Sequence, residues 1–228
     1  PPYNTSRTGA SDKYNSRYDT FHDAKTDDDY IKWTIDIFNG YDNVLKQNGV
    51  VLYNISYSSE NTSLIWLLIA EIIKKTSFTT ADCIVWKKKS AIPNNRSANK
   101  LTRICEYVFV FCRKNEIDTF MCNKAVVSKI EKTGQNNYEN VFNFIEASNN
   151  DANTELNKAT FSTDFVRKLL NIYAAKGSVI YDSFMGTGTT AEACIIEGMH
   201  YIGSEISKEQ VEYANNRLNI RASAPSLF

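Results

Sequence analysis

An apolar run at Ser178 to Tyr181 leads directly into Asp182-Ser-Phe-Met-Gly-Thr-Gly-Thr-Thr190, and the residues from Thr189 to Gly198 then have the composition of a helix. Few folds accept that order. Gly186 and Gly188 let the backbone turn tightly and approach a ligand closely, and the helix behind them opens with amide groups that have no partner inside the helix. A bare GxG serves a plain strand-to-helix turn as readily as a cofactor. The lysine that closes a phosphate-binding loop is missing, which sets phosphate cradling aside. The next strand, Tyr201 to Ile206, carries Gly203-Ser204-Glu205. A carboxylate there can accept both hydroxyls of a ribose, and taken alone it reads equally well as a solvated acid at a strand end.

The rest of the chain repeats the alternation. From Asp27, the positions Tyr30, Trp33, Ile37, Tyr41, Val44 and Leu45 fall at helical spacing behind three aspartates, predicting a helix that ends near Gly49. A strand at Val50 to Ile55, a helix at Asn61 to Lys75, and strands at Asp82 to Trp86 and Glu106 to Cys112 follow. Ser162 to Ala174 has Phe165, Leu169, Leu170 and Tyr173 on one helical face behind a Ser162/Thr163 cap, and Lys208 to Leu218 is a last helix with Val211, Ala214 and Leu218 inward. With 43% hydrophobic residues in 228, the chain can bury one core. The expectation is a single α/β domain over residues 1–228, with a mostly parallel sheet, helices on both faces and ligands at the carboxyl ends of the strands. Residues 4–29 read as a long polar loop, 87–103 as a basic loop, and the asparagine-rich 113–155 as a short target-recognition segment.

DSFMGTGTT resembles the cofactor motif of the DNA methyltransferases that methylate exocyclic amino groups, usually DPFxGSGTT. Pro1-Pro2-Tyr3-Asn4 resembles their catalytic motif, usually [DNS]PPY. Between them, IVWKKKSAIPNN followed by CEYVFVFC is similar to the family's later core motifs, and Asn157-Lys-Ala-Thr-Phe161 sits where its cofactor-closing segment precedes the glycine turn. The match spans nearly the whole chain. With the catalytic motif first and the cofactor motif last, the order resembles the class called β. Ser183 stands where the family usually has proline. The chain opens at Pro1 without methionine and reads as a fragment, the residue before Pro1 and the strand leading into it lying outside it.

The resemblance implies a Rossmann-like class I methyltransferase fold and S-adenosylmethionine as cofactor. It would be held by Asp182, Phe184, Gly186, Gly188, Thr189 and Glu205 together with Asn157, Lys158, Ala159, Thr160 and Phe161. It places catalysis on Pro1, Pro2, Tyr3 and Asn4. The Pro1 carbonyl accepts a hydrogen bond from the target amine, and Tyr3 stacks on a base flipped out of double-stranded DNA, the ring rather than the hydroxyl carrying the effect. Adenine N6 is put ahead of cytosine N4. Two other readings compete: an RNA or small-molecule methyltransferase, and a catalytically inactive DNA-binding homologue.

Lys plus Arg and Asp plus Glu both total 26, so a nucleic-acid partner has to be sought locally. Lys87, Lys88, Lys89, Arg96, Lys100 and Arg103, with no acidic residue among them, are the candidates for phosphate contact, and a merely solvated surface is the alternative. Arg7, Lys13 and Arg17 could add to them, and Tyr53 and Asn54 could line a base pocket. The 5 cysteines are scattered without a CxxC pair, and only His22 and His200 could join them, so no metal site and a reducing cytoplasm, bacterial or phage-infected, are expected. The most apolar run, Leu64 to Ile73, is too short for a membrane span and contains Glu71. The shortness of 113–155 leaves room for a homodimer or a separate specificity partner.

Overall fold

The computed structural model describes residues 1–4, 25–58, 61–91, 93–95, 97–151 and 160–223, with side chains up to residue 219. Helix α1 (Asp27–Val44) begins where Thr26 accepts a hydrogen bond from the Asp29 amide and three aspartates fill the first turn. It stops short of Gly49 for a reason remote in sequence. The Arg113 guanidinium donates to the carbonyls of Asp42, Leu45 and Lys46 and pairs with the Asp42 carboxylate at 2.5 Å. A cation on the last carbonyls both caps the helix and suits its dipole. Strand β1 (Val51–Ile55) follows, then α2 (Leu64–Lys75), whose start is set by Asn61 accepting from the Leu64 amide.

Strand β2 (Phe78–Lys88) is longer than the sequence suggests and takes in Lys87 and Lys88, while β3 (Cys105–Arg113) matches its expected range closely. After a hairpin, β4 (Val126–Lys129) and β5 (Asn136–Tyr138), the chain returns as β6 (Phe144–Ala147). The main sheet has the order β1-β3-β2-β6, with β3 antiparallel to β1 and β2, and β6 parallel to β2. Thus β1, β2 and β6 share one direction and β3 is reversed. The last third is α3 (Thr163–Tyr173), β7 (Val179–Asp182), α4 (Thr189–Glu197), β8 (His200–Gly203) and α5 (Lys208–Ser223), with β7 and β8 paired in parallel.

The alternation along β3 decides how helices pack. Val108 and Val110 face one side, with Ile84 and Trp86 of β2, and are covered by Phe165, Leu169 and Leu170 of α3 and by Ala193 and Cys194 of α4. Phe109 and Phe111 face the other side, with Tyr53 and Ile55 of β1, under Tyr30 and Phe38 of α1 and Leu64, Leu68 and Ile72 of α2. Both faces are therefore apolar and both carry helices. Trp86 stacks on Phe165 at 4.0 Å between centroids, and Phe38 meets Phe111 edge-on at 4.9 Å. Such pairs add about 0.5–1.5 kcal/mol each beyond the area they bury. Among the described residues all five cysteines are free thiols, no cluster of His, Cys, Asp or Glu could hold a metal ion, and no helix is long and apolar enough to cross a membrane.

Candidate active site

The glycine turn closes on itself through Asp182. One carboxylate oxygen accepts from the Phe184 amide at 2.9 Å and the other from the Thr190 hydroxyl at 2.6 Å, so the end of β7 is bolted to the first turn of α4. Gly186 and Gly188 have φ of 54° and 84°, the left-handed region that glycine enters without a Cβ penalty. A Cβ on Gly188 would also come within 3.1 Å of the Ala214 Cβ, so α5 packs directly on the turn. Glu205, expected within a strand from Tyr201 to Ile206, lies just beyond β8, which ends at Gly203. Its two oxygens accept from the amides of Gly186 at 2.8 Å and Ser207 at 2.9 Å, which orients the carboxylate across the turn. Each oxygen keeps a second lone pair for a hydroxyl. Phe161 packs beside Phe165 at 6.0 Å and Thr160 precedes it, half-buried; Asn157, Lys158 and Ala159 lie outside the described residues.

The other motif is held at the same edge of the fold. The buried Tyr30 hydroxyl donates to the Pro2 carbonyl at 2.7 Å, whereas the Pro1 carbonyl has no hydrogen-bond partner among the described residues. Asn4, with φ of 52°, uses its side-chain amide as a clip: it donates to the Lys25 carbonyl and accepts from the Lys25 amide, both at 2.9 Å. Its side chain is thus committed to joining two points of the backbone. Tyr3 is half-buried, and its hydroxyl is not idle. It donates to Glu106 at 3.0 Å and receives the Asn54 amide at 2.5 Å. Asn54 and Tyr53, adjacent on β1, point to opposite faces: Tyr53 enters the aromatic core, where burial pushes its phenol up to about 12, and Asn54 turns toward Tyr3.

Helix α1 connects the two motifs. Tyr30 bonds Pro2, Trp33 one turn later meets the Phe184 ring edge-on at 5.8 Å, and Tyr41 bonds the Ser183 hydroxyl at 2.5 Å. The serine in place of the usual proline thereby gains a partner that proline would not provide. Burial pushes the Tyr41 phenol up to about 12. Sequence reasoning gave α1 no part in the site; its signal was aromatic residues on one helical face beyond what core packing uses.

Three further residues were not singled out from the sequence. Arg217 of α5 pairs with the buried Glu192 of α4, lies 3.5 Å from Asp151 and 3.3 Å from the Thr187 carbonyl, and so ties the glycine turn to the segment that precedes α3. Thr163 donates to Asp151 at 2.6 Å in the same cluster. A lone acid in the apolar stretch TTAEACII was the available clue to Glu192.

The basic segment divides into strand and loop. Lys87 is paired with Glu146 at 2.6 Å and Lys88 with Glu106, both from β2. Lys89, Lys100 and Arg103 are exposed beyond the strand, with the Arg103 guanidinium bonded to the Tyr57 carbonyl and 5.5 Å from the Tyr57 ring. Arg96, like Arg7, Lys13, Arg17 and His22, lies outside the described residues.

Comparison with known proteins adds a family and a fold. The type II methyltransferase M.Cfr9I of Citrobacter freundii is 29% identical over 135 residues, covering 59% of this chain and 43% of that enzyme. The chain therefore spans less than half the length of that relative. Among solved structures, the PvuII DNA methyltransferase, described as cytosine-N4-specific, superposes with a TM-score of 0.69 at 16% identity, over 100% of this chain and 78% of its own. The M1.HpyAVI complex with S-adenosylmethionine gives 0.59 at 22% identity, over 81% of this chain and 82% of its own. These likenesses show the fold. The family model described as DNA methylase, for N6 and N4 methyltransferases, matches residues 1–216, and the chain belongs to that family.

Proposed function

We propose that the protein transfers a methyl group from S-adenosylmethionine to the exocyclic amine of a base flipped out of double-stranded DNA. The observation that carries this reading is that α1 contacts both the Pro1–Asn4 and the Asp182–Thr190 segments, through Tyr30, Trp33 and Tyr41. The donor set fits the cofactor: Glu205 is oriented for ribose hydroxyls, and the α4 N-terminus offers amides that no side chain among the described residues caps, above a glycine turn. When bound, the cofactor supplies an electrophilic methyl on sulfonium. The chain's own work is at the nitrogen. A hydrogen bond from the amine to the Pro1 carbonyl draws the nitrogen out of conjugation with the base, freeing its lone pair for in-line attack. Tyr30 already donates to the Pro2 carbonyl, whereas the Pro1 carbonyl has no hydrogen-bond partner among the described residues. The sequence reading puts adenine N6 first; the same arrangement serves cytosine N4, and nucleoside analysis of the product separates them.

Tyr3 supplies the stacking face. Base stacking on an aromatic side chain is worth roughly 1–3 kcal/mol, so Tyr3→Ala is expected to slow methylation by about tenfold to a hundredfold while leaving cofactor affinity unchanged. An alanine variant as fast as the parent would remove Tyr3 from the mechanism.

Phosphate contact is assigned to the exposed cations past β2. Changing Lys89 and Lys100 to glutamine together is expected to weaken binding to all duplex sequences and reduce the salt slope by roughly 0.9 for each phosphate no longer neutralised. Lys87→Gln, by contrast, breaks a pair with Glu146 and is expected to change the slope less. An unaltered slope in the double variant would make these lysines solvated surface only.

A further inference from the structure

Three segments converge on one carboxylate beside Tyr3. Glu106, at the start of β3, has a side chain only 12% exposed. One of its oxygens accepts from the Tyr3 hydroxyl at 3.0 Å and the Asn54 amide at 2.9 Å, and the other is paired with the Lys88 ammonium. Asn54 directs one amide hydrogen to Glu106 and the other to the Tyr3 oxygen, so the phenol accepts from Asn54 while donating to Glu106. The opposite assignment of that amide would set its oxygen against the carboxylate. Lys88 in turn lies 5.1 Å over the Trp86 ring, which is itself stacked on Phe165 in the core. Two hydrogen bonds at the hydroxyl pin the far end of the Tyr3 ring, which restricts χ1, and because a phenolic O–H prefers to lie in the ring plane they also favour one orientation about χ2.

Resting on the assignment of Tyr3 as the stacking face, we propose that Glu106 is a positioning residue for methyl transfer: with Asn54 and Lys88 it holds in place the Tyr3 ring against which the flipped base lies. Glu106 acts through the hydroxyl and touches no reacting atom. Lys88 is then the countercharge of this cluster and not a phosphate contact, and the Tyr3 hydroxyl contributes to turnover although stacking needs only the ring. A simpler structural role, holding β2 to β3, would be indifferent to whether residue 3 carries a hydroxyl.

That difference is measurable as a double-mutant cycle of methyl transfer by the full-length protein at saturating S-adenosylmethionine. Tyr3→Phe and Glu106→Ala are each expected to lower kcat by about tenfold, the scale of a missing hydrogen bond to a charged group. The double variant is expected to lie within about twofold of either single one, because both remove the same link. Cofactor affinity stays unchanged throughout. If the two losses multiply, Glu106 does not act through Tyr3 and the proposal fails. Should Glu106→Ala fail to fold, the same cycle is run with Glu106→Gln, which keeps an acceptor for the phenol; it is expected to retain more activity than Tyr3→Phe, and a multiplicative loss overturns the proposal there too. Tyr3→Ala separates the two levels of inference. Full activity in that variant overturns the stacking assignment itself, whereas a slow Tyr3→Ala with a multiplicative cycle overturns only the role of Glu106.

Discussion

Gly186→Val is expected to abolish S-adenosylmethionine binding in calorimetry while the protein still folds. Residue 186 has φ of 54°, and its amide donates to Glu205 at 2.8 Å. A β-branched residue in the left-handed region is a strong outlier, and the strain costs about 1–2 kcal/mol before any steric conflict with a ligand. Relief of that strain moves the amide away from Glu205 and releases the carboxylate from its orientation. Gly177 provides the control, since its φ is 76° and a Cβ there meets nothing within 4 Å. Gly177→Val is expected to bear comparable backbone strain with no loss of cofactor affinity. Equal affinity in Gly186→Val and the parent would remove the turn from the cofactor site.

Arg217→Met is expected to lower unfolding free energy by about 3–5 kcal/mol, the usual cost of leaving a buried charge without its partner. Glu192 has a side chain 5% exposed and faces Arg217, itself 12% exposed, so water cannot replace the guanidinium. The same change withdraws a donor from the Thr187 carbonyl at 3.3 Å and from Asp151, which loosens the glycine turn and the chain just before α3 together. Urea denaturation with an unchanged m-value measures the loss. Adding Glu192→Gln to Arg217→Met is expected to restore part of it, because the neutral amide no longer needs a countercharge. A loss below about 1 kcal/mol would show that the pair is solvated in practice.

Alternation along the chain carried most of the fold. The β3 run EYVFVFC states both faces of the sheet at once, with Val108 and Val110 on one side and Phe109 and Phe111 on the other, and the turn between β7 and α4 is written in two glycines. What local pattern could not state was set by distant partners. Helix α1 ends at Val44 because Arg113 reaches its last carbonyls from β3, a bond between residues about seventy apart in sequence. Strand β6 is four residues inside an asparagine-rich stretch, and it exists because β2 offers it a parallel edge. Lys87 and Lys88 look like loop cations until Glu146 and Glu106 are brought beside them by sheet pairing. The glycine turn was legible because a strand, two glycines and a helix are contiguous. The support of Tyr3 was not, since Asn54, Lys88 and Glu106 come from three strands.

The central claim is the chemistry, and the most direct measurement is transfer of tritiated methyl from S-adenosylmethionine to unmethylated duplex DNA by the full-length protein, followed by nucleoside analysis. Label in N6-methyladenine or N4-methylcytosine is the predicted result. Label in 5-methylcytosine, which requires attack from ring carbon rather than an amine, or DNA and cofactor binding without any transfer, would contradict it.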